Sequence, residues 1–386
     1  MATTHLSAAL LGLVCLGLAV CYEVLTLAAV MLWRIRRPSP RLSTRLPVTL
    51  LKPLCGAEPS LYEHLKSFCV QDYPEYQIVF GIRDAADPAL EIVRRLITAF
   101  PQLQIDVVVN PRLHGSNFKI GNLINMLERA RHDVLIIADS DVFVSRDYLD
   151  CVTAPLRDPA VGLVTCVYED VPTSGIWSRL GAMYINEWYV PTVLLAAMFG
   201  HRSYASGQTL ALRRQTLDAI GGFGALTDHL ADDYKLGELI RSQGLEIELS
   251  PTIVMAEHHE ANLNSLTRHE LRWMRTIRTL RPRSFPAIFL SFSLPLALCG
   301  LLLTAAEPGT LTLSWTLFEI ALIARLGLHF AHRIGGTRSL FSDLWLLPLR
   351  DLLLTWIWLR SFFTSRISWR GGEFHVDADG IMHRSP

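Results

Sequence analysis

The stretch Leu135-Ile136-Ile137-Ala138-Asp139-Ser140-Asp141 joins an apolar run to two carboxylates one residue apart. Apolar, β-branched residues are typical of a central strand covered on both faces of a parallel sheet, and ligands of open α/β sheets bind beyond the carboxyl ends of such strands. Side chains at i and i+2 of an extended segment point the same way, so Asp139 and Asp141 can bind one divalent cation, with a diphosphate as its third ligand. A solvated turn is the alternative, because Asp and Ser are common turn residues.

On both sides of this stretch the sequence alternates between strand-like and helical patterns, from Pro47 to about Leu280. This alternation predicts one α/β domain with a mostly parallel sheet and helices on its faces. The predicted strands are Val48 to Leu54, Gln77 to Ile82, Ile105 to Val109, the central strand, Val161 to Val167, and Gly207 to Leu212. The predicted helices are Ser60 to Phe68, Pro88 to Phe100, and Asn117 to Ala130.

The composition of the 386-residue chain argues against an ordinary soluble protein, since 50% of the residues are hydrophobic. Lys+Arg and Asp+Glu are equal at 36 each, so no overall charge favours binding to nucleic acid. The seven cysteines have no C-x-x-C spacing, so neither a zinc site nor a disulfide framework is predicted.

The apolar residues concentrate at the two ends of the chain. Leu6 to Trp33 is interrupted only by Glu23 and exceeds the roughly 20 residues that cross a bilayer. A cleaved signal peptide is the alternative, but its charges should precede the apolar core. The arginines after the run place the following domain in the cytoplasm by the positive-inside rule. These arginines are Arg34, Arg36, Arg37, Arg41 and Arg45.

Near the other end, Phe285 to Thr304 and Leu311 to Ala331 predict a helical hairpin across the membrane, with Arg333 and Arg338 on the cytoplasmic side. The stretch Leu340 to Phe363 contains Arg350 and Asp351, which are costly in hydrocarbon, so a re-entrant or interfacial segment is predicted there. The expected domains are therefore an anchor with a basic linker (1–46), a cytoplasmic catalytic domain (47–284), and membrane helices with a cytoplasmic tail (285–386).

Two further acids, Asp84 and Asp87, follow the strand Gln77 to Ile82, just as Asp139 follows its own strand. Two neighbouring strands that end in acids would form a pocket, in which a carboxylate can bind a ribose or a pyrimidine. Asp87 also stands directly before Pro88, which is the pattern of a helix N-cap. Asp87 can cap the helix and bind a ligand at the same time.

Lys119 and the pair Asp232-Asp233 stand at predicted helix starts. Free N–H groups at a helix start favour anions, so Lys119 is a candidate phosphate ligand, although a solvated lysine is the common case. Acids in a first turn suit helix electrostatics, yet the same position lets one carboxylate act as a general base towards an acceptor hydroxyl.

Arg272 and Trp273 belong to a cationic helix that leads towards the apolar C-terminal region. They could neutralise a leaving diphosphate and stack on a substrate, or simply lie at headgroup depth. The aromatic stretch Gly175 to Gly200 is either a core helix or an interfacial element that meets a lipid.

The order of these motifs resembles the inverting glycosyltransferases of families 2 and 21, which have a GT-A fold, and the resemblance covers essentially the whole chain. It is closest to ceramide glucosyltransferases and to bacterial hopanoid-biosynthesis glycosyltransferases. The shared residues are Leu51 to Leu54, Gln71 to Pro74, Asp84 to Pro88, the Asp139 site, Ala231 to Tyr234, and Arg272-Trp273.

The resemblance implies a set of site residues. Asp84 and Asp87 would bind the nucleotide of a UDP-sugar, and Lys119 and Asp232 would also contact this donor. Asp139 would bind its diphosphate and, with Asp141, a Mg²⁺ or Mn²⁺ ion. Asp233 would be the catalytic base, and Arg272 with Trp273 would form the Q/R-x-x-R-W element. His269 stands at the first position of that element, where the families have Gln or Arg.

The resemblance also implies an integral membrane enzyme, expected in a bacterial inner membrane, with its catalytic domain in the cytoplasm. The expected reaction moves N-acetylglucosamine from UDP-N-acetylglucosamine to a hopanoid such as bacteriohopanetetrol; glucosylation of ceramide from UDP-glucose is the alternative. A polysaccharide synthase should have more membrane spans, and an inactive lipid-binding protein would have no need for acids in this order. Besides the lipid, the donor and the bilayer, no nucleic acid or protein partner is predicted.

Overall fold

A computed structural model of the chain describes residues 2–35, 45–173, 175–202, 204–332, 341–363, 366–369, 372–377 and 380–384. The contacts divide the chain into two compact units. The sheet unit contains residues 37–171, 201–258 and 369–386, and the helical unit contains residues 1–36, 172–200 and 259–368.

The sheet unit is built on eight strands in the order β3-β2-β1-β4-β7-β6-β8-β5. The first four in that order run parallel: β3 (Gln104–Val109), β2 (Tyr76–Ile82), β1 (Val48–Leu54) and β4 (Val134–Ile137). The other four are β7 (Leu210–Arg213), β6 (Val161–Pro172), β8 (Glu246–His258) and β5 (Val142–Phe143).

The centre of the sheet agrees with the apolar run that predicted it. Strands β1 and β4 pair in parallel with Leu50 opposite Ile136, and both side chains are fully buried. The prediction of a mostly parallel sheet is wrong beyond β4, since β7 is antiparallel to both β4 and β6, and β5 is antiparallel to β8. A short buried apolar run looks the same in either kind of sheet, so the pattern carries no information on strand direction.

Six α-helices accompany these strands in the described sheet unit, and the predicted ones lie within a few residues of their predicted ends. They are α2 (Leu61–Cys69), α3 (Ala89–Ala99), α4 (Phe118–Leu127), α5 (Tyr148–Thr153), α8 (Arg214–Ala219) and α9 (Asp232–Ser242). Helix α4 begins after Asn117, whose Oδ1 accepts hydrogen bonds from the N–H groups of Lys119 (3.0 Å) and Ile120 (3.2 Å). This cap fixes Lys119 in the first turn of α4.

Three short strands, β9 (Arg366–Trp369), β10 (Gly372–Val376) and β11 (Met382–Arg384), follow the last helix and were not expected in a tail. Strands β10 and β11 pair antiparallel. The Met382 N–H donates to the Asp228 carbonyl (2.8 Å), and the Leu230 N–H donates to the Gly380 carbonyl (3.0 Å). The tail therefore pairs with the segment Asp228–Leu230, which leads directly into α9.

The helical unit contains seven α-helices in its described part. They are α1 (Ala2–Ile35), α6 (Gly175–Tyr184), α7 (Val190–Met198), α10 (Leu263–Leu280), α11 (Ser293–Thr304), α12 (Leu311–His332) and α13 (Leu346–Ser361). A π-helical turn, Ile185–Tyr189, joins α6 to α7. Two stretches, Leu6–Ile35 and Pro308–Ala331, are long and apolar enough to cross a membrane.

The predicted span Phe285 to Thr304 is bent in the structure. A 3-10 helix (Phe285–Ser291) and α11 meet there at 82°. Pro295 lacks an N–H and is tolerated only near the start of a helix, so α11 begins two residues before it. The pair is either a broken span or a re-entrant segment.

Buried ion pairs account for the charges in the third apolar stretch. Arg350 of α13 donates two 2.7 Å hydrogen bonds to Glu270 of α10, and Asp351 accepts from Arg325 of α12. Helix α13 has 16 residues, fewer than the roughly 20 that a straight span needs.

These pairs also explain why the expected boundaries 1–46, 47–284 and 285–386 do not coincide with the two units. Residues 172–200 and 259–284 belong to the helical unit. Glu187 pairs with Arg325 of α12, and Glu270 of α10 pairs with Arg350 of α13. Arg36, Arg37, Arg41, Arg333 and Arg338, on which the predicted topology depends, lie outside the described residues.

Candidate active site

The carboxyl end of β4 brings Asp139 next to Lys119 of α4 and Asp232 of α9. The Lys119 Nζ lies 2.6 Å from Asp139 Oδ1 and 3.7 Å from Asp232 Oδ2. Burial alone would lower the pKa of the Lys119 ammonium, but the charges of Asp139 and Asp232 outweigh burial and hold this pKa above its ordinary value. The predicted contact of Lys119 with phosphate stays a prediction, since in this structure its ammonium binds carboxylates.

Lys52 is a second cation in this cluster, and it is fully buried on β1. Its Nζ donates a hydrogen bond to the backbone carbonyl of Asp139 and lies 3.8 Å from the centroid of the Phe68 ring. Burial lowers the pKa of this ammonium to about 7. Sequence reasoning missed Lys52 as a site residue, although a lysine inside an apolar strand is a signal that could have identified it.

Asp141 faces a histidine that also contacts another acid. The Nε2 of His258 lies 3.6 Å from Asp141 Oδ2, and its Nδ1 lies 3.1 Å from Asp170 Oδ1. Burial raises the pKa of Asp141, with His258 opposing and Asp139 adding to the shift. No second His or Cys lies at a spacing from His258 that is typical of metal ligands. The sequence therefore did not indicate that His258 lies beside Asp141 and Asp170.

The donor set at this edge suits a hard divalent cation. Asp139 and Asp141 supply carboxylate oxygens, and Mg²⁺ or Mn²⁺ usually takes its remaining ligands from water and substrate phosphates. Among the described residues no group of three or more His, Cys, Asp or Glu side chains forms a metal site by itself. Two carboxylates plus a diphosphate are therefore the combination that the residues fit.

Asp233 is held by two backbone N–H groups at the start of α9. Gly207 N–H donates to Asp233 Oδ2 (3.0 Å), and Tyr234 N–H donates to Asp233 Oδ1 (2.7 Å). Burial and the neighbouring charge of Asp232 raise the pKa of Asp233 to about 6. A carboxylate with a pKa near neutrality is suited to general base catalysis.

Gly207 is a further site residue, and no local sequence pattern marks it as one. A Cβ at this position would lie 2.9 Å from Lys119 Nζ and 3.0 Å from Asp139 Oδ2. A methyl group here would therefore displace the end of one of these two charged side chains, while the φ angle of Gly207 is not positive and does not itself favour glycine.

Asp87 and Asp84 lie in the loop after β2. Both Asp87 oxygens accept from Gly56 N–H (3.0 and 2.9 Å), and Oδ1 also accepts from Ala89 N–H (2.9 Å). Asp84 Oδ1 accepts from Ala86 N–H (2.9 Å). The capping interpretation of Asp87 is therefore confirmed, while nucleotide binding by both acids stays a prediction.

The two strands that are followed by acids, β2 and β4, were expected to be neighbours. This expectation is wrong, because β1 lies between them in the sheet. Since β1 pairs in parallel with both, the acids still lie at the same edge of the sheet, with one strand between them.

Arg272 and Trp273 belong to α10 in the helical unit. The Trp273 ring stacks on Tyr184, with centroids 5.3 Å apart, and lies 4.1 Å from the imidazole of His269. The Nδ1 of His269 lies 2.8 Å from Glu260 Oε1. His269 thus packs on Trp273 and is oriented by Glu260. Tyr184 is buried, so the core interpretation of this part of the aromatic stretch is confirmed.

Comparison with known proteins agrees with this architecture. The sequence pattern that defines glycosyl transferase family 21 matches residues 11–382. Ceramide glucosyltransferase 3 of Caenorhabditis elegans is 23% identical over 342 residues, which is 85% of this chain and 72% of the relative. A ceramide glucosyltransferase of Gibberella zeae is 28% identical over 150 residues, 35% of this chain and 28% of the relative.

Among solved structures, mannosyltransferase PcManGT from Pyrobaculum calidifontis, in complex with GDP-Man and Mn²⁺, superposes with a TM-score of 0.53 at 19% identity. The match covers 92% of this chain and 99% of the mannosyltransferase. At this identity the likeness concerns the fold, and it confirms the predicted GT-A architecture.

Proposed function

Because the chain belongs to glycosyl transferase family 21 and is therefore a hexosyltransferase, we propose that it transfers a hexose from a UDP-sugar to a hydroxyl group of a membrane lipid. The observation that carries this proposal is the set of acids at the carboxyl end of β4, with Asp233 held by two backbone N–H groups. Two helices long and apolar enough to cross a bilayer support a membrane-bound acceptor.

Asp233 is the proposed general base. Its carboxylate takes the proton of the acceptor hydroxyl as that oxygen attacks the anomeric carbon of the donor. The bond between the anomeric carbon and the diphosphate oxygen breaks in the same displacement, UDP leaves, and the anomeric configuration inverts. The Gly207 N–H holds one Asp233 oxygen at a fixed place, which orients the base.

Asp139 and Asp141 would hold Mg²⁺ or Mn²⁺ against the donor diphosphate. When bound, the cation supplies positive charge that stabilises the leaving diphosphate. Lys119 and Lys52 position Asp139 for this purpose, one through its carboxylate and the other through its backbone carbonyl. Asp84 and Asp87 are proposed to bind the nucleoside of the UDP-sugar, and Asp232 is proposed to bind one of its hydroxyl groups. Arg272 and Trp273 keep their proposed role as the Q/R-x-x-R-W element that the resemblance implies.

Ceramide and UDP-glucose are the first acceptor and donor to test, because the similar proteins from Caenorhabditis elegans and Gibberella zeae are ceramide glucosyltransferases. A hopanoid with UDP-N-acetylglucosamine, expected from the sequence, is the second pair and has no support from the comparisons. We place the enzyme in a membrane, with the sheet unit on the cytoplasmic side where donor nucleotides are made. A bacterial inner membrane is the compartment that the hopanoid pair would require.

The test uses purified full-length protein in detergent with both lipids and both isotope-labelled donors, and mass spectrometry identifies the products. Transfer of glucose to ceramide supports the first pair, and transfer to bacteriohopanetetrol alone supports the second. Transfer to neither lipid, together with slow hydrolysis of a donor, would refute the lipid acceptor and leave the reaction class intact. The Asp233→Asn protein is the matched control for background transfer.

A further inference from the structure

The start of helix α9 carries Asp232 and Asp233, yet the residue before it cannot cap the helix with its side chain. That residue is Ala231, and alanine is among the poorest N-cap residues because its methyl group accepts no hydrogen bond. The first N–H groups of a helix have no partner inside the helix, and helix ends fray unless other contacts hold them. The positions of the two acids therefore depend on residues outside α9.

The C-terminal hairpin, formed by β10 and β11, holds the segment Asp228–Leu230 in front of α9 from one side. Two backbone hydrogen bonds of 2.8 and 3.0 Å join this segment to Met382 and Gly380. Between them, His229 forms an antiparallel bridge with Ile381. The segment is thus paired with the hairpin in the manner of a short strand.

The residues before α4 hold the same part of the chain from another side. The Asn117 N–H donates to the Thr227 carbonyl (2.7 Å), and Ser116 donates to Asp228 Oδ1 through its N–H and its hydroxyl (2.9 Å each). A Cβ at Gly115 would lie 2.7 Å from the Thr227 carbonyl oxygen, so a side chain there would push the two stretches apart. The approach to α9 is therefore held between the C-terminal hairpin and the approach to α4.

The buried side chain of Asn117 joins the two helices directly. Its Oδ1 caps α4 by accepting hydrogen bonds from the N–H groups of Lys119 and Ile120. Its Nδ2 donates to the His229 carbonyl (2.9 Å) and to Asp232 Oδ1 (3.3 Å). The other oxygen of Asp232 lies 3.7 Å from Lys119 Nζ. Both oxygens of Asp232 therefore face the start of α4.

We propose that Asn117 is a positioning residue, which sets the place of the α9 acids relative to the first turn of α4, and that the C-terminal hairpin supports the segment between them. This inference rests on the proposed function. The first turn of α4 carries Lys119, which holds Asp139 at the proposed diphosphate site, whereas α9 carries the proposed base Asp233. One amide group thus aligns the leaving-group side of the reaction with the attacking side, across 115 positions of sequence.

The experiment replaces Asn117 with serine, which keeps a capping hydroxyl for α4 and removes the Nδ2 donor. Purified full-length protein in detergent is titrated with UDP in the presence of Mg²⁺ by calorimetry, which gives the UDP affinity and the number of binding sites. The kcat for transfer is then expressed per UDP-binding site. It should fall by about 10- to 100-fold, the cost of a small misalignment of reacting groups, with nearly unchanged UDP affinity. A merely structural defect would reduce the number of sites and leave kcat per site unchanged.

Asn125→Ser is the matched control, because it removes the same amide group from the same helix. There the Asn125 Nδ2 donates to the Arg112 carbonyl (3.0 Å), and its Oδ1 lies 2.8 Å from His114 Nε2. This variant should keep the wild-type kcat per site.

Met382→Pro tests the hairpin, because proline lacks the N–H that Met382 donates to the Asp228 carbonyl. Its control is Met382→Leu, which keeps this N–H and a buried side chain of similar volume. Met382→Pro should lower kcat per site in the same way as Asn117→Ser, with nearly unchanged UDP affinity, and Met382→Leu should behave as the wild type. Equal kcat per site in the two Met382 variants would overturn the role of the hairpin.

Asn117→Asp is the second variant if Asn117→Ser does not fold. It keeps the cap and the shape of the side chain, but its second oxygen faces Asp232 and the His229 carbonyl, so it should also lower kcat per site. A wild-type kcat per site in the Asn117 variant, or an equal loss in Asn125→Ser, would overturn the proposal. A loss of UDP affinity large enough to explain the whole fall in kcat/KM would overturn it as well.

UDP release from each labelled UDP-sugar without lipid is measured beside transfer to ceramide, since water can then take the place of the acceptor hydroxyl. Hydrolysis without transfer in the wild type would refute the lipid acceptor, and the hydrolysis rates of the variants would still decide the role of Asn117. Transfer to ceramide at equal rates in wild type and Asn117→Ser would refute the positioning role and spare the lipid acceptor. A wild-type protein with neither activity would refute both.

Discussion

Replacing Gly207 with alanine tests whether the geometry of the acid cluster controls the reaction. The new methyl carbon would lie 2.9 Å from Lys119 Nζ and 3.0 Å from Asp139 Oδ2. Contacts of a methyl carbon are normally about 3.5 Å or longer, so one of the two charged groups must move by about 0.5 Å or more. The backbone of Gly207 does not have a positive φ angle, so alanine itself introduces no backbone strain.

The size of the effect follows from the ion pair that the methyl group disturbs. Lys119 Nζ and Asp139 Oδ1 are 2.6 Å apart. Lengthening this distance by about 0.5 Å weakens their attraction by about 1 kcal/mol at an effective dielectric constant of about 20. Because this ion pair holds Asp139 for donor binding in the transition state, kcat/KM should fall by about fivefold.

The assay is kcat/KM for glucosyl transfer, together with thermal unfolding in detergent. Gly224→Ala is the matched control, because nothing lies within 4 Å of a Cβ at that glycine and its φ is not positive. Gly207→Ala should lose activity with an unfolding temperature close to that of the control. Wild-type activity in Gly207→Ala would refute the argument that Lys119 and Asp139 must keep this spacing.

Four further predictions concern the base, the metal, the buried charges and the topology. Asp233→Asn should lower turnover at least about a hundredfold with nearly unchanged UDP affinity, and Asp232→Asn should matter less; the opposite result would reverse the assignment. Because burial and Asp232 raise the pKa of Asp233 to about 6, kcat/KM should rise with pH through about 6 and be lost below it. The Asp233→Asn variant should not show this rise. UDP binding measured by calorimetry should be tighter with Mg²⁺ than in EDTA, and Asp139→Ala should remove the difference; equal affinity would exclude the metal role. Glu270→Gln, which breaks a buried ion pair, should destabilise the protein by about 3 to 5 kcal/mol, and an unchanged unfolding temperature would contradict this. A reporter inserted at the exposed Pro159 should score as cytoplasmic, and an external signal would reverse the topology.

The parts of the fold and site that the sequence predicted are those that depend on local patterns. The apolar run of β4, the acids that follow it and the acids at the start of α9 are each contained in a few consecutive residues. Their positions could therefore be read without knowing which strands pair.

The parts that could not be predicted depend on contacts between residues far apart in sequence. Lys52 meets the carbonyl of Asp139 across 87 positions, and the N–H of Gly207 meets Asp233 across 26. No local pattern marks such contacts. The same holds for the direction of β7, and for the pairing of Arg350 with Glu270, which made a polar stretch compatible with a buried helix.

The pairing of the C-terminal strands with Asp228–Leu230 has a consequence for biosynthesis. The N–H of Met382 and the carbonyl of Gly380 form hydrogen bonds with the segment Asp228–Leu230, which is followed by Ala231 and then Asp232. The residue before this segment, Thr227, accepts a hydrogen bond from the Asn117 N–H (2.7 Å). A ribosome makes residues 380–382 after every helix that the structure describes. The segment that leads to Asp232 and Asp233 therefore gains its full set of backbone partners only after all of these helices have been made, so a nascent chain still being inserted into the membrane carries an incomplete candidate site.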